Sequence, residues 1–229
     1  MEVIDVCSFN IDEFYAKVAP WFDAALDNLY PTLKSIRKAN LCVFFESRVK
    51  SLESFKEKIV AKNAARIKEG KPEMTEEEVL REIFDGAGAR IIIPYRDKVQ
   101  DIVNIIEDIP NLQEEIEKRK DYNKKPKPNG YSGYHACYYY KVKIATTDDQ
   151  ERPKVVWVTI PVEIQVRTLA QHIWATYEHK HRYKADKTRA EAGNERVDVL
   201  FKRLAKLCDL VDKLVIVIRD FCEETKIAK

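Results

Sequence analysis

Pro161-Val-Glu-Ile-Gln-Val-Arg167 is the segment from which most can be inferred about the fold. Its apolar and polar residues alternate with period two, which is typical of a β-strand with one buried face. The apolar set is Val162, Ile164 and Val166, and the polar set is Glu163, Gln165 and Arg167. A carboxylate, an amide and a guanidinium in one row can bind a cation, a polar base and an anion. The strand therefore predicts a sheet with a face for a polyanion, although a merely solvated face would show the same pattern.

The composition describes a chain with a sizeable core and no overall charge bias. At 229 residues and 45% hydrophobic, it is long enough for one large domain or for a domain with a helical extension. Lys and Arg number 40 against 38 Asp and Glu, so the formal net charge is +2. Such a charge does not by itself attract duplex nucleic acid or an anionic membrane, so any anion site must be local.

The cysteines and the apolar runs indicate the cell compartment in which we expect the protein. The five cysteines are widely spaced, without a CxxC pair or a histidine cluster of the zinc type, so we expect reduced thiols in the cytoplasm. They are Cys7, Cys42, Cys137, Cys208 and Cys222. The longest apolar run, residues 214–218, is too short to span a bilayer, and Glu2 and Asp5 precede any apolar stretch. No membrane or targeting segment is therefore predicted.

The first elements predicted along the chain are helices. Apolar positions at helical spacing over residues 11–39 are interrupted by Pro20 and Pro31, which predicts several short helices. A strand is predicted over residues 41–48, and a helix from Ser51.

A loop, a short helix and further strands follow. Residues 62–74 are polar and predict a loop or a frayed helix end, after which the capping box Thr75-Glu-Glu-Glu78 begins a helix to about residue 84. Residues 90–94 predict a strand, Asp97 is expected to cap a helix that ends at residue 106, and residues 112–120 predict an irregular strand.

The second half of the chain contains the longest predicted strands. Residues 134–144 and 154–168 are joined by a polar turn, and Thr168 is expected to cap a helix to about Tyr183. The predicted fold class is α/β (α+β), with a mixed, largely antiparallel sheet of about five strands flanked by helices. The predicted division is N-terminal helices over residues 1–40, the sheet domain over 41–184 and a C-terminal helix over 185–229.

The C-terminal helix carries an apolar stripe with four-three spacing. Its members are Leu200, Leu204, Leu207, Val211, Leu214, Ile218 and Phe221. Such a stripe suits packing on the N-terminal helices of the same chain, and it equally suits a self-association seam.

Three cations converge near the start of the predicted helix at Ser51. Arg48, Lys50, Ser54 and Lys58 have the spacing R-x-K-x-x-x-S-x-x-x-K, which places Ser54 and Lys58 on one helical face behind the cations of the strand. Phosphate chains need such groups, because Arg binds two oxygens at once and Lys is a mobile point charge. A solvated basic helix is the alternative.

Two carboxylates are candidates for a metal site. Asp85 precedes a glycine-rich break, and Glu163 lies on another strand. Mg²⁺ in phosphoryl-transfer sites is commonly held by one or two carboxylates, with water and substrate phosphates completing its shell. Asp85 as a simple turn former is the alternative.

The loop over residues 118–134 interleaves six cations with Tyr122, Tyr131 and Tyr134. Cations can follow phosphates while a tyrosine ring stacks on a base, and glycines let the backbone approach a ligand. A mobile, solvated loop is the alternative.

The order of these segments resembles the synthetase domain of the RelA/SpoT family, and the short stand-alone alarmone synthetases in particular. The resemblance covers residues 41–184 and rests on SRVKSLESFKEK, DGAGARIIIPY, KRKDY followed by KPNGY and His135, PVEIQVRT, and WATYEHKHRYK. It implies a nucleotidyltransferase-like synthetase fold. It also implies transfer of the β,γ-pyrophosphoryl unit of ATP to the ribose 3′-hydroxyl of GDP or GTP, which yields AMP and a guanosine 3′-diphosphate alarmone, (p)ppGpp.

The resemblance also implies roles for individual residues. The implied ATP-binding residues are Arg48, Lys50, Ser54, Lys58 and Arg90. Asp85 and Glu163 are the implied catalytic carboxylates and ligands of Mg²⁺, or of Mn²⁺ in its place, and Glu163 would also polarise the 3′-hydroxyl. The implied acceptor side consists of Lys127, Asn129, Tyr131, His135, Gln165, Arg167, His172 and Ala175. Tyr131 would stack on the acceptor base, whereas His172 would suit either a base contact or a core position.

One departure from the family pattern leaves the acceptor open. After Gly130-Tyr131 the family usually continues Arg-Ser-x-His, whereas this chain has Ser132, Gly133, Tyr134 and His135. An arginine near the acceptor is therefore missing. Some stand-alone relatives are growth-inhibiting toxins that modify adenine nucleotides or the 3′ CCA end of tRNA, and that alternative would imply an antitoxin partner.

Two further expectations concern activity. None of the four histidines is followed by Asp, so the metal-dependent hydrolase module of the family is not expected. A catalytically silent nucleotide- or RNA-binding module is a second alternative, and the intact pair Asp85 and Glu163 argues against it.

Overall fold

The structure is a computed structural model that describes residues 8–148, 150–183 and 191–227. Several predictions fall outside these residues: those on Glu2, Asp5 and Cys7, and the domain boundary at residues 184–185. The other four cysteines are free thiols.

A six-stranded sheet is the centre of the fold. Its main path is β1-β2-β6-β5-β3, and β4 pairs with β5. The strands are β1 (Phe44–Val49), β2 (Ala87–Ile93), β3 (Leu112–Glu114), β4 (Lys120–Asp121), β5 (Tyr134–Thr147) and β6 (Pro153–Thr168). Only β2 and β6 run parallel among these pairs; the other pairs are antiparallel. The predicted fold class, a largely antiparallel mixed sheet flanked by helices, is confirmed.

Six α-helices surround the sheet in the described part of the chain. They are α1 (Ile11–Lys38), α2 (Leu52–Lys68), α3 (Glu76–Glu82), α4 (Val99–Glu107), α5 (Leu169–Glu178) and α6 (Glu191–Ile227). The capping box at Thr75 and the cap at Thr168 are confirmed, because each threonine hydroxyl accepts a backbone N–H of its helix. Within residues 8–148, 150–183 and 191–227, no helix combines the length and apolar character that a bilayer crossing requires.

The period-two strand has the two faces that its sequence predicts. Val162, Ile164 and Val166 are at most 1% exposed and belong to the main core, together with α1. The opposite side of β6 presents Glu163, Gln165 and Arg167. The prediction of one core face and one polar face is therefore confirmed.

The first helix differs from the prediction of several short helices. α1 is a single helix of 28 residues, and it contains both Pro20 and Pro31. A proline inside a helix removes one backbone hydrogen bond and costs about 3 kcal/mol. A continuous buried stripe from Phe14 to Ile36 outweighs that cost here, because its side chains fill the core.

Two other local predictions are wrong, and a third, which left two possibilities open, is decided by the structure. Of the two possibilities for residues 62–74, the helix end holds as far as Lys68, the last residue of α2; the buried Asn63 side chain accepts the Met74 N–H at 2.9 Å and ties the following segment to this helix. The predicted strand over residues 112–120 is split into β3 and β4 by a 3₁₀ turn, Ile116–Lys118. Asp97 does not cap α4; it lies in the 3₁₀ turn Arg96–Lys98 and accepts from Arg219 of α6 at 3.0 Å.

The C-terminal helix packs mainly on α5 and on the 3₁₀ turn Arg96–Lys98 rather than on α1. Phe201 and Cys208 of α6 are buried against Trp174 of α5. Most of the predicted apolar stripe stays exposed, with Leu207 at 60%, Leu214 at 54% and Phe221 at 66%.

A buried carboxylate joins α6 to the beginning of α5. Asp212 is 2% exposed and accepts a hydrogen bond from Thr168 Oγ1 at 3.0 Å. Burial raises its pKa above the ordinary value, and the bond from Thr168 only partly offsets this effect. A carboxyl with a raised folded-state pKa favours folding below its unfolded pKa, and this contribution is lost as the pH rises through the folded pKa.

We therefore expect Asp212→Asn to be more stable than the wild type at pH 7.5, because it removes the buried charge and keeps an acceptor for Thr168. A gain of about 1 kcal/mol would raise the melting temperature by roughly 2 to 4 °C. The gain should vanish towards pH 4. Thermal melts at both pH values, with the exposed Asp101→Asn as control, test this expectation. A melting temperature below that of the wild type at pH 7.5 would contradict it.

Candidate active site

Two polar rows cross the sheet on the face opposite α1. Glu46, Arg90, Gln165 and His135 are register partners on β1, β2, β6 and β5. Arg48, Gly88, Glu163 and Cys137 form the neighbouring row. Register partners in a sheet share a face, so segments distant in sequence are brought side by side.

The first cavity, which we call the Asp85 cleft, has a volume of about 480 Å³. Its walls include Arg48, Asp85, Gly88, Arg90, Glu163 and Gln165. The structure thus brings the two predicted carboxylates to one cleft, together with two of the predicted cations. Lys50 and Lys58 are not among the lining residues of this cleft, but both form ion pairs with Asp85, which is. Ser54 is not among the lining residues; its backbone N–H donates to Ser51 Oγ in the cap of α2.

Asp85 is held between two lysines. Lys50 Nζ lies 3.0 Å from Oδ2, and Lys58 Nζ lies 2.7 Å from Oδ1. Burial opposes ionisation of Asp85, but the two ammonium groups outweigh it and lower the pKa of this carboxyl. Tyr15 of α1 in turn donates to the Lys50 carbonyl at 2.6 Å. Asp85 is therefore an ionised, preorganised carboxylate at neutral pH.

Glu163 is hydrogen-bonded to His135, which is in turn hydrogen-bonded to Tyr131. Its Oε1 lies 2.9 Å from His135 Nδ1, and its Oε2 accepts from Gln165 Nε2 at 2.8 Å. Burial favours the neutral acid, but these bonds outweigh it, so the pKa of Glu163 is lowered. Burial also lowers the pKa of His135. A neutral His135 would donate from Nδ1 to Glu163 and accept at Nε2 from the Tyr131 hydroxyl, its other partner.

The second cavity, which we call the Tyr131 cleft, has a volume of about 420 Å³. Its walls include Tyr131, Arg167, His172 and Ala175, together with Arg48 and Arg90. Arg48 and Arg90 also line the Asp85 cleft, so the two cavities share a wall. His172 contacts Phe44 edge to face at 5.4 Å, and burial lowers its pKa. The arrangement can hold two polyanionic molecules side by side.

Tyr131 is 8% exposed, but it borders the Tyr131 cleft. Lys127 Nζ lies 5.0 Å and Arg167 Cζ lies 5.1 Å from its ring centroid. Burial raises the pKa of its hydroxyl, so the ring is a neutral phenol. Asn129 Oδ1 accepts the Tyr131 backbone N–H at 3.1 Å and so holds the turn.

The loop before Tyr131 rests on the C-terminal helix. Gly130 has a φ of +95°, and a Cβ at this position would lie 2.6 Å from the Ala205 Cβ of α6. Trp174 Nε1 donates to the Phe201 carbonyl of α6 at 2.9 Å, and its ring lies 5.8 Å from that of Tyr131. The position of Tyr131 therefore depends on α6 through a glycine that tolerates both the positive φ and the close approach.

The structure also shows cleft residues that were not among the predicted site residues. Glu46 lines both cavities and accepts from Arg90 NH1 at 3.1 Å. Thr176, Glu178 and His179, which belong to the matched segment WATYEHKHRYK, line the Tyr131 cleft. Glu46 could have been predicted from the sequence, because it lies two residues before Arg48 on the same strand and therefore on the same face of the sheet.

The carboxylates suit a divalent cation bound with substrate phosphates. No group of three or more His, Cys, Asp or Glu side chains in the described residues forms an all-protein metal site. Asp85 and Glu163 line one cleft, and the charge of Asp85 works against ionisation of Glu163. A divalent ion would relieve this repulsion, and two carboxylates are what Mg²⁺ takes from a protein when phosphates complete its shell.

Comparison with known proteins identifies the family. Residues 47–188 match a protein family whose description is 'region found in RelA / SpoT proteins'. GTP pyrophosphokinase YwaC of Bacillus subtilis is 34% identical over 139 residues, which are 61% of this chain and 57% of that protein. GTP pyrophosphokinase YjbM of the same organism is 27% identical over 187 residues, which are 81% of this chain and 75% of that protein. The crystal structure of small alarmone synthetase 1 from B. subtilis has a TM-score of 0.71 at 25% identity, covering 93% of this chain and 99% of that one. The chain belongs to the RelA/SpoT family.

Proposed function

We propose that this protein is a pyrophosphokinase that transfers the β,γ-pyrophosphoryl unit of ATP to the ribose 3′-hydroxyl of GDP or GTP. The observation that carries the proposal is the shared wall of Arg48 and Arg90 between the two cavities. One cavity contains two carboxylates and the other an aromatic ring with a cation. A triphosphate and a nucleotide acceptor bound in these clefts would be adjacent, as direct transfer requires.

In the proposed reaction the acceptor 3′-oxygen attacks the β-phosphorus of ATP. A bond between that oxygen and the β-phosphorus forms, and the bond from the β-phosphorus to the α,β-bridging oxygen breaks. AMP leaves with the bridging oxygen and its electron pair, and the proton of the 3′-hydroxyl passes to the Glu163 carboxylate. GDP would yield ppGpp, and GTP would yield pppGpp.

The protein would contribute charge and alignment. Arg48 and Arg90 would neutralise the phosphate chain, with Lys50 and Lys58 supporting Asp85. Asp85 and Glu163 would hold Mg²⁺, or Mn²⁺ in its place, and the ion would neutralise charge on the transferred phosphates. Tyr131 would stack on the acceptor base, with Lys127, Asn129, Gln165, His172 and Ala175 around it.

The experiment that tests the proposal supplies one acceptor at a time. ATP labelled at the γ-phosphate is incubated with Mg²⁺ and with GDP, GTP, ADP or bulk tRNA in separate reactions. We expect the label to appear on GDP and GTP together with stoichiometric AMP. Absence of AMP with every acceptor would refute a pyrophosphokinase. The same mixtures would show any hydrolase activity, which we do not expect.

A toxic synthetase is the second candidate function, because Ser132-Gly133 replaces the family's Arg-Ser and the preceding loop is rich in lysine. Such an enzyme would label ADP, ATP or the 3′ end of tRNA, and it would require an antitoxin partner. Binding of tRNA would weaken steeply with salt, whereas binding of GDP would not. Label on tRNA alone would favour this candidate over the first.

Binding of the acceptor should depend on α6, because the Gly130 loop before Tyr131 rests on Ala205 of that helix. Ala205→Leu should push the Gly130 loop away, because the added side chain has no free space there. We expect the KM for GDP to rise by roughly 10-fold, with the KM for ATP unchanged and the fold intact. Steady-state kinetics with each substrate varied, beside the exposed Ala16→Leu of α1 as control, measures the difference. An unchanged KM for GDP would contradict this role of α6.

We further propose a homo-oligomer through α6 and a cytoplasmic location. Exposed Leu207, Leu214 and Phe221 repeat with heptad spacing, which suits pairing with a second copy of the same helix. Light scattering should give at least twice the chain mass, and Leu207→Glu with Leu214→Glu should give a monomer. Lys34→Glu with Lys38→Glu on α1 serves as control. A wild-type monomer at micromolar concentration would refute the oligomer.

A further inference from the structure

Arg167 is a buried cation without a carboxylate partner in the described part of the chain. It is 6% exposed, and none of the ion pairs of the described residues includes it. Its NH2 donates to Gln165 Oε1 at 2.7 Å, and its Nε has no hydrogen-bond partner. The guanidinium lies against the ring of Tyr131 and lines the Tyr131 cleft.

Such a position is costly for the free protein. Removing a charge from water costs several kcal/mol unless an opposite charge or hydrogen bonds compensate for it. Gln165 is hydrogen-bonded to both Arg167 and Glu163 and so lies between them. The nearby Arg90 has the same sign of charge as Arg167, and its Nε also donates to Gln165 Oε1 at 3.3 Å. The compensation that Arg167 finds comes mainly from the neutral side chains of Gln165 and Tyr131, which leaves its charge available to an anion that arrives with a ligand.

We propose that Arg167 binds the 5′-phosphate chain of the acceptor nucleotide. This inference rests on the proposed function and names the phosphate-binding residue of its acceptor site. Arg167 lines the Tyr131 cleft and not the Asp85 cleft, so it faces the acceptor rather than ATP. Its free Nε and its position beside the Tyr131 ring would join recognition of the base to recognition of the phosphates.

Gly133 lies against the stem of Arg167 and the ring of Tyr131. A Cβ at Gly133, which has a φ of +147°, would lie 3.3 Å from Arg167 Cγ and 3.3 Å from the Tyr131 hydroxyl. The family pattern has Ser at this position and Arg before it. In this chain the loop has Ser132 and Gly133 there, so it contributes no arginine. The arginine of β6 would thus supply the cation that the loop lacks.

The first test compares acceptors that differ only in their 5′-phosphates. Arg167→Met and the control Arg152→Met, on the exposed β5–β6 turn, are assayed with GTP, GDP, GMP and guanosine. We expect the KM of Arg167→Met for GDP and GTP to rise by roughly 10- to 100-fold, the range of a charge-assisted hydrogen bond. The KM for guanosine and for ATP should not change. An equal loss with guanosine would show that Arg167 only positions Tyr131, and a raised KM for ATP would assign it to the donor; both results overturn the proposal.

The second test needs no turnover. GDP and guanosine are added without ATP, and the melting temperature is measured. GDP should stabilise the wild type and Arg152→Met but not Arg167→Met, and the free Arg167→Met protein should melt no lower than the wild type, since the unpaired charge is gone. If the wild type makes no AMP with any acceptor, the proposed function fails, yet this shift still tests Arg167. Equal stabilisation of Arg167→Met by GDP would overturn the proposal.

Discussion

Asp85→Asn is expected to lower the turnover number by about 10²- to 10³-fold, the loss that follows deletion of one preorganised electrostatic group. The substitution removes the charge that would hold Mg²⁺ and that organises Lys50 and Lys58, whose ammonium groups lie within 3.0 Å of the carboxylate. Asparagine keeps the shape of the side chain, so the core should be preserved. The loss should appear in kcat more than in the KM for the acceptor.

The rate of AMP formation from ATP and GDP, measured as a function of Mg²⁺, tests this expectation. The control is Asp27→Asn, an equal change on the exposed side of α1. A circular dichroism melt confirms that each variant is folded. Turnover within a factor of three of the wild type at saturating Mg²⁺ would remove Asp85 from the catalytic site.

The lowered pKa of Asp85 also predicts that the protein loses folding stability at low pH. The pKa of Asp85 is lowered in the folded state, so its contribution to stability is present above the unfolded value near 4 and is lost as the pH falls through the lower folded value. We expect wild-type stability to decline with acid in this window, and Asp85→Asn to show a smaller decline. Melting temperatures between pH 3 and pH 6 provide the measurement.

Tyr131→Ala is expected to leave a folded and nearly inactive protein. Stacking on an aromatic side chain contributes about 1 to 3 kcal/mol per base, which corresponds to roughly 5- to 150-fold in affinity for the acceptor. Lys127 and Arg167 both contact the ring, so its loss also removes the cation–π contact of each. We expect the KM for GDP to rise strongly while the KM for ATP changes little.

Tyr131→Phe separates stacking from the hydroxyl. It keeps the ring but removes the bond to His135, so its activity should lie within about 10-fold of the wild type. Tyr30→Ala, an exposed tyrosine of α1, controls for loss of an aromatic side chain. Initial rates over a range of GDP concentrations decide the matter. Full activity of purified Tyr131→Ala would refute the assignment of the acceptor side.

The local pattern was sufficient where geometry depends only on neighbouring residues. The faces of β6 followed from alternation, because successive side chains of a strand point in opposite directions whatever lies beside it. The caps at Thr75 and Thr168 followed because a capping box is closed within four residues. Local signals failed where burial overrode them, as at Pro20 and Pro31, which lie within one continuous helix.

The class of fold, the polar row of β6 and the membership of Asp85, Glu163 and Tyr131 in recognisable motifs could all be predicted from the amino-acid sequence. Which of these groups meet depends on tertiary contacts. The parallel pairing of β2 with β6 places Gly88 beside Glu163 and so brings Asp85 to the same cleft. The docking of α6 on Gly130 positions Tyr131, and burial leaves Arg167 without a carboxylate partner among the described residues. These features arise from contacts between segments far apart in the chain, and no local rule of periodicity or capping encodes such contacts.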